Sequence, residues 1–188
     1  MSWNKKKIDW AELERVFVVV DAANLEHSVK SLKWWVDYRK LYNFFKARVR
    51  LVEIRHYCPH FNDERQNKFF TVLKKSGFKL VTKPLKIIAE IDKTKGDVRK
   101  ANFDVEITYD TFALLEDYDT LILFSGDSDF NYLVKQLRQK GKQVIVISSR
   151  YHISKELIDS SNRYIDLKNL RVEIERKKIK SPSFSTGS

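Results

Sequence analysis

Short apolar runs recur along this chain, each closed by a turn signal and each followed by residues at helical spacing. RVFVVV at 15–20 is β-branched and aromatic throughout, which predicts a central strand ending at Asp21. LILF at 121–124 has the same character and predicts a strand, buried on both faces, within Asp119–Ser125. Gln143–Ser148, with VIVI at its centre, is another such strand. Val49–Tyr57 alternates well enough to be a strand, Phe78–Lys83 is one more, and Leu85–Ala89 is expected to extend it beyond Pro84. Arg163–Leu167 is a last short strand.

Helical spacing falls between these runs, over Tyr38–Arg48, Asn62–Ser76, Asn102–Glu116 and Asp127–Lys140. Gly77 and Gly141 supply stops for the second and fourth of these, Asp37 can cap the first, and Ser154–Asp159 predicts a short capped helix. Ser28–Tyr38, which contains Trp34 and Trp35, reads as a loop or short helix. Ile91–Lys100 is polar, basic and glycine-containing, so an exposed loop is expected there. Strands alternating with helices, the strands buried, predict an α/β fold: a three-layer parallel sheet with helices on both faces. The domain is expected over 15–170, with an N-terminal extension at 1–14 and a basic, flexible tail at 171–188.

Composition narrows the class. With 43% apolar residues in 188 there is material for a real core, which excludes wholesale disorder. No apolar run reaches the roughly 18 residues that span a bilayer. The amino terminus carries charge where a signal peptide needs its apolar segment, and a single cysteine, Cys58, leaves no internal disulfide framework. A cytoplasmic protein is expected. The net charge of +11 is clustered, with Lys93, Lys95, Arg99 and Lys100 forming one of several basic blocks. Clustered cations gain affinity for polyanions by releasing phosphate counterions, so a nucleic-acid partner is expected, gripped by that block.

Aspartates occupy otherwise apolar contexts. Asp21 ends the first strand; Asp127 and Asp129 follow the strand that closes on Ser125 and Gly126. Each can be a helix cap. Adjacent parallel strands would also bring such ends together, at the sheet edge where open α/β folds place ligands. Asp104 shares a helical stripe with Ile107, Thr111 and Leu114/Leu115, and an inward carboxylate needs a cation or hydrogen-bond donors. An oxygen-only set of Asp21, Asp104, Asp127 and Asp129 selects Mg²⁺ or Mn²⁺ over zinc and suits phosphoryl chemistry. Asn24 can orient a ligand or water; Ser125, Ser128 and Asp110 are expected around the set. HYCPH at 56–60 has no partner pair and falls short of a zinc site, and phosphate-loop and serine-elbow motifs are absent.

VDAANL at the first strand end, FDVEITYD on a helix, and FSGDSDF followed by a helix and GKQVIVI together resemble the NYN domain, a family of PIN-like nucleases that includes LabA-like bacterial proteins. The likeness spans about residues 15–167. It implies a PIN-like, Rossmannoid sheet ordered 3-2-1-4-5 and a metal-dependent ribonuclease, with Asp21, Asn24, Asp104, Asp127 and Asp129 at the positions of the acidic, catalytic pocket. It implies RNA, single-stranded or structured, as the substrate. The alternative is a non-catalytic RNA-binding module on the same fold; the oligomeric state, a homodimer included, stays open.

Overall fold

A computed structural model describes residues 8–61, 63–88 and 98–177. Its centre is a six-stranded, all-parallel sheet. β1 (Arg15–Asp21) lies between β2 (Arg50–His60) and, on the other side, the strand Thr120–Phe124. β3 (Lys79–Pro84) flanks β2 at one edge. β4 (Lys86–Ile88) and β5 (Val98–Lys100) form a separate antiparallel pair, so Thr120–Phe124 is β6. Beyond it come β7 (Gln143–Ser148) and β8 (Arg163–Asp166), giving the order β3-β2-β1-β6-β7-β8. Among the strands of this sheet alone the order is the expected 3-2-1-4-5, with a sixth added at the far edge.

The unbroken apolar runs are explained by burial on both faces. Val16, Val18, Val20, Ile122, Phe124, Ile145 and Ile147 belong to one cluster, while Phe17, Val19, Leu121, Leu123, Val144 and Val146 belong to the other. The first cluster is covered by α1 (Ala22–Leu32), α2 (Tyr38–Arg48) and α3 (Glu64–Ser76). The second is covered by α4 (Asp104–Ala113), α5 (Asn131–Gln139) and α6 (Lys155–Ser160). At the amino ends of the strands, the Arg15 guanidinium grips both oxygens of Asp119 at 2.8 and 2.7 Å and holds that carboxyl down at about 2. β1 and β6 are thereby tied where both begin. Among the described residues, no helix is long and apolar enough to cross a membrane.

Four expectations are corrected. The chain after Asp21 is helical at once: α1 runs over Ala22–Leu32, where a loop or short helix was expected only from Ser28. Leu25 and Val29, one turn apart and both buried, carry it, and Asp21 caps it. Leu85–Ala89 does not prolong β3. Pro84 cannot donate to a ladder, and Lys86–Ile88 turns away to pair with Val98–Lys100, so the expected loop ends as a strand. The helix expected from Asp127 starts as a 3₁₀ turn, Ser128–Phe130, before α5. The tail does not begin at 171: α7 (Arg171–Ile174) packs against α2, with Ile174 wholly buried.

The described residues ahead of β1 also dock. Trp10 meets Phe44 and Phe45 edge-on at 5.2 and 5.7 Å, covering α2. Cys58 is buried and unpaired, and burial pushes its thiol up to about 12, so it behaves as an apolar residue of the core.

Candidate active site at the carboxyl edge of the sheet

Strand register brings the key residues together. Val20 pairs with Phe124, so the next residues of β1 and β6, Asp21 and Ser125, leave the sheet side by side. Asp21 is 8% exposed and Ser125 1%. The Ser125 hydroxyl donates to Asp21 Oδ2 at 3.2 Å, and the Asn24 amide Nδ2 donates to the same oxygen at 2.7 Å. Asp21 Oδ1 accepts the Asn24 backbone N–H at 3.3 Å, which caps α1. Asn24 in turn accepts the Gly126 N–H on its Oδ1 at 3.4 Å. One asparagine thus bridges the ends of two strands.

Burial holds the Asp21 carboxyl above the ordinary carboxylate range. The negative charge of Asp104 pushes the same way, while the Asn24 and Ser125 hydrogen bonds pull it down. Asp104 is therefore electrostatically coupled to Asp21, although it sits on a helix more than eighty residues later. The stripe expected for it is present: Ile107 and Thr111 are fully buried and Asp104 is half-buried. Asp104 is the first residue of α4 and not its cap. Its N–H donates to Asn102 Oδ1 at 2.7 Å and its Oδ2 accepts from Asn102 Nδ2 at 2.6 Å, which fixes the carboxylate at the helix start.

Asp127 follows two residues after Ser125, whose hydroxyl oxygen accepts the Asp127 N–H at 3.3 Å. Its Oδ1 takes the Asp129 N–H at 3.1 Å and caps the 3₁₀ turn. Asp21 and Asp127 both act as caps, and both lie at the carboxyl ends of neighbouring strands. Ser128 and Asp129 are exposed on the turn.

Gly126 makes the close approach work. A Cβ on it would lie 1.6 Å from the His152 carbonyl oxygen and 2.7 Å from Ser148 Oγ. Its own carbonyl accepts the Ser154 N–H at 3.0 Å. Ser148 and His152, which pin this turn from the β7 side, had no visible signal in the sequence. His152 also meets Ser31 of α1 through Nε2 at 2.5 Å.

Asp110 is engaged elsewhere. It accepts from the Tyr57 hydroxyl at 2.8 Å and pairs with Arg55 at 2.7 Å, and Arg55 also pairs with Glu53. That network fastens α4, the helix that carries Asp104, to β2. Of the basic block, Arg99 and Lys100 are on β5; Lys93 and Lys95 lie outside the described residues.

The donor set is oxygen only, and the raised Asp21 carboxyl beside a second carboxylate is an arrangement that a hard cation relieves. In chemical character the residues fit Mg²⁺ or Mn²⁺. Among the described residues, no three His, Cys, Asp or Glu side chains stand together as a finished ligand group.

The NYN domain family model matches residues 15–170. The low amplitude and bright protein LabA of Synechococcus elongatus is 32% identical over 173 residues, covering 91% of this chain and 93% of that protein. A crystal structure of a protein of unknown function from Vibrio parahaemolyticus superposes with a TM-score of 0.72 at 26% identity, covering 91% of this chain and all of the other.

Proposed function

The chain belongs to the NYN domain family of PIN-like nucleases, and on that premise we propose that it is a metal-dependent ribonuclease cutting RNA internally at phosphodiester bonds. The observation that carries the reading is the buried Asp21 carboxylate, held by Asn24 and Ser125 and coupled to Asp104 at the joined ends of β1 and β6. Asp21, Asp104, Asp127 and Asp129 would hold the Mg²⁺ or Mn²⁺. Bound there, such an ion acidifies water and stabilises charge on the phosphoryl oxygens. Asn24 fixes the orientation of Asp21 and the spacing of the strand ends. Ser125 does the same from β6, and its oxygen positions the Asp127 backbone. The basic block at Lys93, Lys95, Arg99 and Lys100 is the proposed grip on the RNA backbone.

The test is incubation of the purified protein with end-labelled RNA in Mn²⁺, then in EDTA, beside Asp127→Asn. Cleavage is expected in Mn²⁺ alone and to fall at least ~100-fold in the variant, comparable to losing other transition-state charge stabilisers. The fold should survive, because asparagine caps a turn about as well as aspartate. Full activity of Asp127→Asn, or cleavage that persists in EDTA, would sink the proposal.

A second reading, a nucleic-acid-binding module without turnover, is favoured by one observation: the carboxylates are not gathered into a three-ligand group among the described residues. RNA bound in Mn²⁺ and recovered intact would select it.

A further inference from the structure

A second charged recess is built where the C-terminal segment returns to the body. The Asp37 N–H donates to the Ile174 carbonyl at 2.7 Å, and the Arg176 N–H to the Trp35 carbonyl at 2.8 Å. Lys40 Nζ adds a bond to the Glu175 carbonyl at 2.8 Å. This clasp fixes residues 171–177 beside the C-terminal turn of α1 and encloses a groove of about 740 Å³. Its walls carry Lys30 and Lys33 from α1, and Arg171, Arg176 and Lys177 from the returning segment, against one carboxylate, Glu175.

Glu26 pairs with Lys30 and Glu175 with Arg171. Lys33, Arg176 and Lys177 have no ion pair among the described residues. Trp35, 57% exposed, lines the same groove. Its ring face is open to solvent on the wall that also carries Lys33, Arg176 and Lys177, so an aromatic surface and three cations without ion pairs among the described residues share one groove. Trp34, buried at 4%, also lines the groove, and its indole N–H has no acceptor among the described residues.

Lys33 points the same way. It closes α1 with φ of 58°, the only positive φ at a non-glycine position among the described residues. Glycine or asparagine is the usual occupant of such a position, since other side chains are strained there. A lysine in that place presents its charge at the groove.

We propose that this groove binds a single-stranded segment of nucleic acid, with a base stacked on Trp35 and phosphates on Lys33, Arg176 and Lys177. Exposed aromatic faces set among cations are how proteins hold unpaired strands without reading sequence. The residues after 177 continue with Lys178 and Lys180, so the chain's own continuation carries the same charge as the groove and is not its electrostatic complement. A flat base suits a tryptophan face in a way an acidic peptide does not. The inference needs the nucleic-acid part of the reading above and not its catalysis.

The experiment is fluorescence anisotropy of a labelled oligouridylate with the full chain in EDTA, where metal-dependent cutting is suppressed. Trp35→Ala is expected to weaken binding by ~5–100-fold and Trp35→Phe to keep most of the affinity. Lys33→Gly, which suits the backbone at that position, should lower the salt dependence by about 0.7 in log–log slope. Unchanged affinity and salt slope in both Trp35→Ala and Lys33→Gly overturn the proposal, as does binding to phosphatidylserine vesicles or polyglutamate with none to oligouridylate. RNA left intact by the parent protein in Mn²⁺, with groove binding unchanged, would count against the nuclease reading alone.

Discussion

Gly126→Ala is expected to destabilise the protein by about 3 kcal/mol or more and to abolish the candidate site together with it. The added carbon would lie 1.6 Å from a backbone oxygen, that of His152, which has no rotamer by which to escape. Relief requires the β6 turn and the segment after β7 to part. That movement breaks the Ser154-to-Gly126 bond and draws the Gly126 N–H away from Asn24. Gly141→Ala is the internal control: φ is +79° there, but nothing among the described residues lies within 4 Å of the new carbon, so only the left-handed backbone strain of about 1–2 kcal/mol applies. Denaturant melts of the two variants should separate clearly. Equal and small losses would show that the turn is looser than its packing implies.

The second large effect concerns acid stability. His56 lies inside β2 with its ring edge-on to Tyr38, Phe69 and Phe78, and neither ring nitrogen has a partner among the described residues. Burial drives its pKa down to about 3. The unfolded chain takes up this proton near pH 6.5. Between those values the unfolded state binds more protons than the folded one, so stability falls as pH falls through that window. By pH 4.5 the loss from this one group is about 2–3 kcal/mol. His56→Phe removes both the titration and a buried unpaired polar group whose cost is about 1–3 kcal/mol. The variant should therefore melt higher at pH 7 and keep that advantage, enlarged, at pH 4.5. Parallel stability–pH curves for parent and variant would assign the acid lability to other groups.

The fold was legible wherever burial imposes an unmistakable pattern. Strands covered on both faces must be apolar at every position, and RVFVVV, LILF and VIVI announce themselves for that reason. Tyr38–Arg48 and Gln143–Ser148 have the predicted bounds. α1 was harder to see because Asp21, Ala22, Ala23 and Asn24 read as a turn; only the register of β1 against β6 shows that Asp21 caps and faces the rim at once. The fate of 85–89 depended on a partner strand ten residues later in a polar segment, which periodicity cannot reveal.

The residues of the candidate site were unevenly marked in the sequence. Asp21 and Asp127 were marked by strand ends, and Asp104 by its helical stripe. Arg55, in a strand that only alternates weakly, gives no sign that it is 8% exposed and clamped between Glu53 and Asp110. Trp34 and Trp35 sit together in a segment read only as a loop or short helix, yet the two neighbours have opposite environments, at 4% and 57% exposure. A pair of adjacent identical side chains carries no periodicity from which to tell them apart.

The first strand of the chain occupies the middle of the sheet, and that has a consequence for biosynthesis. Val16–Val20 cannot be sealed on its β6 side until Phe124 has been made, more than a hundred residues later. At about 5–20 residues per second the ribosome leaves that ribbon unsealed for on the order of 5–20 s. A nascent chain arrested at residue 119 should stay open to protease along β1, and one released after β7 should not. The emerging polypeptide therefore passes through a vulnerable interval during translation, closed only when the second half of the sheet arrives.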